Sequence, residues 1–213
     1  MSEPLLPLFA ATFVTFFVLI DAIGVAPIFA SLTSHGPKEW RRKMAIRATF
    51  VAALIIYAFA FGGAWLLSAM HISIDAFRMA GGVLLFLLAI DMVFEKRTER
   101  REHRAEDAKA DHEGLEDISV FPVGIPMIAG PGTIASAMLY MSHAGSWAER
   151  GVVLGALGAN LILCLLIFLA AGPIVKSLGP SIVAALTRIL GVILAALSIQ
   201  LLIDGIKGAF QLG

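Results

Sequence analysis

Two short stretches of this 213-residue chain place polar and helix-breaking residues where an apolar helix would otherwise run. Residues 17–29 (FVLIDAIGVAPIF) hold Asp21, Gly24 and Pro27 inside a hydrophobic run. Residues 121–138 (FPVGIPMIAGPGTIASAM) are broken by Pro122, Pro126 and the triplet Gly130-Pro131-Gly132. Proline lacks an N–H and its ring crowds the preceding turn, and glycine lowers the cost of unwinding, so neither stretch sustains a continuous helix. In lipid every freed N–H and C=O must still find a partner, so a broken span persists only where protein or a water-lined cavity covers it. Each break is therefore a candidate binding site.

Asp21 is the most informative single residue. A carboxylate near the bilayer centre costs at least ~2.5–3.5 kcal/mol on insertion scales, so it is expected to face the bundle interior and to have a partner. It suits a cation site, a proton carrier or the partner of a substrate ammonium group; equally, it suits an N-cap for a half-helix restarting at Ala22. In the second stretch, Gly130, Pro131, Gly132 and Thr133 would open a half-helix. Its unpaired N–H groups and positive dipole end form an anion site that needs no basic side chain. Thr133 and Ser136, three apart, share a face of that half-helix and could add hydroxyl contacts; the alternative is a packing kink with the hydroxyls bonded to their own backbone. Together the breaks could hold a small zwitterion. Its carboxylate would sit at the Gly130-Pro131-Gly132 end, and its ammonium near Asp21 or near carbonyls freed at Gly24 and Pro27.

Secondary candidates are Asn160 and Gln200, each equally suited to an interhelical hydrogen bond, and Arg78 and Arg188, which snorkel, gate or pair with a carboxylate such as Asp75. Asp91 and Asp204 read as interfacial. Cys164, the one cysteine, reads as a packing thiol. His103 and His112 lie among carboxylates, but their spacing matches no closed metal-ligand set. The sequence has no Walker A loop, no dinucleotide fingerprint, no Cys-x-x-Cys pair, no His-Glu-x-x-His and no Gly-x-Ser-x-Gly. The chain is accordingly read as a non-enzyme without cofactor or resident metal.

The elements that must position these residues are membrane spans. Hydrophobic residues make up 59% of the chain, charged ones 15%, and the mean hydropathy is +0.88, outside the range of a soluble domain. The basic residues cluster in loops rather than on one face, which gives no support to nucleic-acid binding. Six spans are expected, at about 8–32, 48–69, 77–94, 118–141, 151–171 and 184–206, each near the roughly 20 residues a hydrocarbon core requires. The N-terminus lacks a basic region and a small-residue cleavage site, so the first run is read as a retained span and not a signal peptide. Gly151, Gly155 and Ala159 form a small-residue frame that marks the fifth span as a packing helix.

A shift of 110 positions superimposes 48–91 on 158–201, matching Ala60 with Ala170, Gly62 with Gly172, Ile72 with Ile182, Arg78 with Arg188, Gly81 with Gly191, Leu84 with Leu194 and Leu87 with Leu197. A unit of three spans inserts its second copy upside down. The expected fold is an all-α membrane protein of six helices in two inverted three-helix repeats, with the first and fourth helices broken. The units are 1–94 and 118–213, joined by a charged cytoplasmic loop, 95–117, in which six Lys/Arg alternate with nine Asp/Glu. Lys38, Arg41, Arg42, Lys43 and Arg47 form a basic loop after the first span, and Lys176 a short one after the fifth. Together with the charged loop they place one side in the cytoplasm and both termini outside.

The combination of DAIGVAPIFASLT in the first span, PVGIPMIAGPGTIASAML in the fourth, six spans and this length resembles the MarC family of bacterial inner-membrane proteins. The resemblance covers essentially the whole chain, and the Pro-x3-Pro-x3-Gly-Pro-Gly segment is its most specific part. It implies a multi-pass protein of the bacterial inner membrane. Because some members are classed as carriers of glycine and alanine, it also implies transport of neutral amino acids. The expected function is secondary transport of such a solute by alternating access, coupled to H+ or Na+. The alternatives are export of another small metabolite, or a non-transporting membrane protein that binds a partner through 95–117. The expected partners are a small-molecule substrate and the bilayer, with an oligomer left open.

Overall fold

The computed structural model describes residues 5–94, 100 and 117–210. Regular structure among them is entirely helical. Nearly all of the loop 95–117, with His103 and His112, lies outside the described residues.

The first span is two helices, α1 (Leu5–Ile20) and α2 (Ala22–Leu32), separated by Asp21 alone. Asp21 takes left-handed backbone angles (φ 50°, ψ 50°), which a short polar side chain tolerates better than most. The backbone is bridged across the interruption, since the Asp21 N–H donates to the Phe17 carbonyl (3.1 Å) and the Val25 N–H to the Asp21 carbonyl (3.0 Å). The span therefore continues through its break as one stretch, Leu5–Leu32.

α3 (Lys38–Ala69) is longer than the sequence suggests. Its 32 residues extend about 48 Å at 1.5 Å per residue, well beyond a hydrocarbon core of about 30 Å. The expected basic loop is thus corrected: Lys38, Arg41, Arg42, Lys43 and Arg47 stand in the opening turns of this helix, where Lys and Arg suit the headgroup layer. α4 (Ile74–Val93) begins at an N-cap in which Ser73 accepts the Ala76 N–H at 3.1 Å.

The fourth span starts with Ser119–Ile128, wound in wide turns with N–H groups bonding five residues back, as from Ala129 to Gly124 (2.9 Å). Extended backbone at Phe121 and Ile125, each before a proline, interrupts it. α5 (Pro131–His143) then opens with Pro131 in its first turn, where a missing N–H costs nothing, and meets the preceding segment at 58°. α6 (Trp147–Leu169) follows. α7 (Ala171–Phe210) is broken at Gly179, whose φ of 71° with ψ 162° suits glycine almost alone, and its apolar span is Ser181–Phe210. Lys176, expected in a loop, lies on the helical arm before this break. Among the described residues, five stretches are long and apolar enough to cross a membrane, and the bent pair counted as one span makes six, in agreement with the six expected spans.

Between helices already in lipid there is little hydrophobic drive, so close backbone approach and hydrogen bonds hold the bundle. α4 and α7 run antiparallel along a glycine seam: Gly82 meets Ser198 and Leu202, Gly191 meets Ala89 and Met92, and Gly205 meets Met79. A Cβ on Gly124 would stand 2.6 Å from the Ser119 carbonyl and 3.4 Å from that of Ala48, so the irregular segment lies directly on α3. α1 packs on α6, tied by Asn160, whose Nδ2 donates to the Phe13 carbonyl at 3.0 Å. Buried Phe16, Phe29 and Phe168 centre the larger core, with the Phe29 and Phe168 rings stacked at 4.6 Å. The expected packing frame on α6 is corrected: Gly151 and Gly155 face outward with nothing near them, and the helix packs instead through Val153, Ala156, Leu157, Asn160 and Cys164. Trp65 and Trp147 are largely exposed at the end of the bundle where the chain begins, and Trp40 is half-buried at the other.

Candidate functional site

The two breaks lie side by side. At the position where a Cβ on Gly132 would stand, the nearest atoms belong to Leu85 (2.9 Å), Leu19 (3.3 Å) and Leu88 (3.3 Å), so the chain two residues before Asp21 packs on the first turn of α5. Asp21 caps α2: its Oδ1 accepts the Gly24 N–H at 3.2 Å. A Cβ on Gly24 would fall 2.4 Å from Asp21 Oδ2, so the cap depends on glycine at that position. Asp21, Gly24, Gly132 and Thr133 are buried, Gly130 and Pro27 half-buried, and Pro131 is exposed on the outside of the bundle. Helix α2 continues through Pro27, so the carbonyl that loses its helical donor is that of Ile23, four residues back, rather than Gly24. Gly130 caps α5 with no side-chain bond to the opening N–H groups.

A cavity of about 770 Å³ lies nearby, at the end of the bundle where α1, α4 and α6 begin and α5 and α7 end. It reaches inward to Leu85 and Ser136. Leu85 thus lines the cavity and also packs on Gly132, and Ser136 stands one helical turn from Gly132 on α5.

The polar groups of this cavity come from five helices, α1, α4, α5, α6 and α7. Arg78 pairs with the Asp75 carboxylate (3.3 Å) and donates to the Asp204 carbonyl (3.2 Å). Gln200 Nε2 donates to Asp204 Oδ1 at 2.8 Å. Glu149 Oε2 accepts the Gly145 N–H at 2.8 Å, while Ser146 Oγ accepts the Glu149 N–H at 3.2 Å and starts α6. His143 places Nδ1 2.8 Å from the Leu139 carbonyl. Thr15 donates to the Ala11 carbonyl (2.8 Å), so the Tyr140 hydroxyl donates to Thr15 Oγ1 (2.9 Å). Ser136 Oγ, in a residue 2% exposed, has no hydrogen-bond partner among the described residues.

The structure therefore distributes the sequence candidates. Asp21, Gly24, Gly130, Gly132 and Thr133 gather at the breaks, while Ser136, Arg78 and Gln200 line the cavity. Asn160 is engaged between α6 and α1, where its Nδ2 also donates to the Ala156 carbonyl at 3.0 Å. Arg188 stands exposed near the start of the α7 span, at the opposite end from Arg78. His143, Tyr140, Glu149 and Thr15 were not among the sequence candidates, and Asp204 was expected only at the interface. Ser146-x-x-Glu149 is visible as a capping box, but a cap is all that it signals locally.

On the side of the bundle where the segment 95–117 joins α4 to the fourth span, Arg47 on α3 bonds Asp117, which also accepts the Ser119 backbone N–H (3.0 Å) and hydroxyl. The Ser119 hydroxyl, with smaller contributions from its N–H and from Arg47, holds the Asp117 carboxyl below the usual carboxylate range against a partial desolvation. Among the described residues no group of three His, Cys, Asp or Glu side chains is placed to hold a metal ion.

Residues 6–210 match the family described as MarC family integral membrane protein. A UPF0056 membrane protein of Methanocaldococcus jannaschii is 35% identical over 94% of this chain and 97% of its own length. One of Pyrococcus abyssi is 33% identical over 95% and 96%. The UPF0056 membrane protein YhcE of Escherichia coli K12 is 32% identical over 96% and 94%. No solved structure matches the chain.

Proposed function

The chain belongs to the MarC family of integral membrane proteins, and we propose that it is a secondary transporter of small solutes, foremost neutral amino acids of the glycine and alanine type, driven by an H+ or Na+ gradient through alternating access. The observation that carries this reading is the position of the cavity. It extends from one end of the bundle to Ser136, and Leu85 stands between it and the first turn of α5, beside the break at Asp21. A route that ends on two adjacent helix breaks is the arrangement alternating access requires, because unwound backbone is the part of a membrane helix that can bind a polar solute.

The zwitterion's carboxylate takes the opening N–H groups of α5, and its ammonium takes Asp21 or the Ile23 carbonyl. Leu85, Leu19 and Leu88 close the site, so the conformation is open at one end and occluded at the breaks. Two features support an inverted pair of three-helix units. The first helix of each packs on the second helix of the other, as α1 does on α6 and as 119–128 and α5 do on α3. The third helices, α4 and α7, pair antiparallel, with Arg78 and Arg188 at opposite ends. The basic residues of α3, with Lys176 and Arg188, share the end opposite the cavity, which supports a reading with that end in the cytoplasm and with the cavity and both termini outside a bacterial inner membrane.

The test is uptake of labelled glycine and alanine into proteoliposomes under imposed pH and Na+ gradients, with wild type, Asp21→Asn and Gly132→Leu. Gradient-driven flux in the wild type, lost in both variants while they remain folded, is the expected result. Absence of flux under every gradient removes the amino-acid reading.

A further inference from the structure

We infer that the cavity beyond the breaks is itself a binding site, for a small solute that carries a protonated amine at one end and a hydrogen-bonding group at the other. The inference concerns binding in the cavity and does not depend on movement through it. At about 770 Å³ the space falls within the range of small-molecule sites.

Its charge decides the class of solute. Glu149 and Asp204 are two carboxylates facing one guanidinium, Arg78, with Asp75 behind it. Arg78 is already engaged by the Asp75 carboxylate and the Asp204 carbonyl, which leaves little of it for an anion. Neither Glu149 nor Asp204 has a cationic partner within ion-pair distance among the described residues. Each holds one neutral donor on one oxygen, the Gly145 N–H and Gln200 Nε2 respectively, and a carboxylate accepts several hydrogen bonds. His143 and Tyr140 are the other titratable groups on the wall. The remaining wall is largely leucine, and a low-dielectric wall strengthens the field of the two carboxylates within the cavity.

The second observation is independent of charge. Ser136 belongs to the cavity wall, and its Oγ is buried and lacks a partner among the described residues. Buried hydroxyls are almost always satisfied, so an unpaired one on a residue of the cavity wall marks a place for a ligand atom. Ser136 lies seven residues before His143 on α5, about 10 Å deeper along the helix axis. A bare cation at the carboxylates would leave Ser136 unsatisfied, whereas an organic solute with a polar group beyond its ammonium reaches both.

The experiment uses the chain's own cysteine content. Cys164 is the one cysteine in the sequence and is buried, so Cys164→Ser gives a cysteine-free background. Ser136→Cys in that background, purified in detergent, is treated with matched methanethiosulfonates bearing a trimethylammonium or a sulfonate group. The cationic reagent is expected to react at least about tenfold faster, after correction for an exposed cysteine, because a negatively lined cleft concentrates cations by that order. Glu149→Gln combined with Asp204→Asn is expected to abolish the preference. Ethanolamine is expected to slow the labelling, and glycolate and ethylene glycol are not. Leu197→Cys, on another wall of the cavity, repeats the measurement and stands in should Ser136→Cys not fold. Equal rates, a faster anionic reagent, equal protection by all three solutes, or no labelling at either position overturns the inference. A transporter without this site would still show gradient-driven flux, and the site without transport would still show the charge preference.

Discussion

Leu85 and Gly132 form the contact between the cavity and the helix breaks: Leu85 Cδ2 lies 2.9 Å from where a Cβ on Gly132 would stand, and the same leucine lines the cavity. Gly132→Ala therefore pushes on Leu85, which is packed in a buried cluster with Leu19. We expect Gly132→Ala to lower the melting temperature, and Leu85→Ala combined with it to cost less than the two separate losses added together. The coupling should be about 0.5–3 kcal/mol, the range for residues in contact, and a double-mutant cycle by thermal unfolding measures it. Additive losses would mean that the two do not touch.

Asp21 has a structural role that must be separated from any role in coupling. Asparagine caps helices as well as aspartate does and tolerates left-handed backbone, so Asp21→Asn should melt close to wild type. Asp21→Ala loses the bond to Gly24 and should cost about 0.5–2 kcal/mol. Under the proposed function both lose gradient-driven uptake. Uptake retained by Asp21→Asn, with the same pH and Na+ dependence, would reduce the residue to a cap.

Asn160→Leu removes the tie from α6 to the Phe13 carbonyl. Interhelical bonds of this kind in membranes are worth about 0.6–2 kcal/mol, so a loss of that size is expected in unfolding measurements. Uptake per folded molecule should be unchanged, because Asn160 lies outside both the breaks and the cavity wall.

Asp117 predicts a pH dependence. Its carboxyl is held below the usual range by the Ser119 hydroxyl first, so ionised Asp117 stabilises the fold above the ordinary carboxylate pKa of about 3.9. That contribution is lost as pH falls from there through the lower folded value. The melting difference between wild type and Asp117→Asn should be largest near neutrality and shrink below about pH 4. A difference that stays constant down to pH 3 would show that the charge contributes nothing.

The breaks were legible because their causes are local. Pro122, Pro126, Gly130 and Asp21 act on their own turns, so the interruptions fall where the residues stand. The six spans were legible for the same reason, from runs of apolar side chains. The cavity was not, since Arg78, Ser136, Glu149 and Asp204 come from four helices and meet only through packing. Asp204 looked interfacial because position along a span says nothing about which way a helix face turns, whereas the pairing of Arg78 with Asp75, three residues apart on one helix, was legible. The frame at Gly151 and Gly155 misled in the same way: small residues permit close packing but do not demand it, and Asn160 with Cys164 fixed the other face inward.

The placement of the three tryptophans determines what light can report about this protein. Trp40 and Trp65 are twenty-five positions apart on the single helix α3, about 37 Å along its axis, so they bracket a hydrocarbon layer of about 30 Å. Trp147 stands 80% exposed at the start of α6, with the Arg150 guanidinium 5.1 Å from its ring. None is in the buried core. Intrinsic emission thus reads the polarity and depth of the two headgroup layers, and lipid-borne quenchers placed at chosen depths would measure how the bundle sits in a bilayer without any added label.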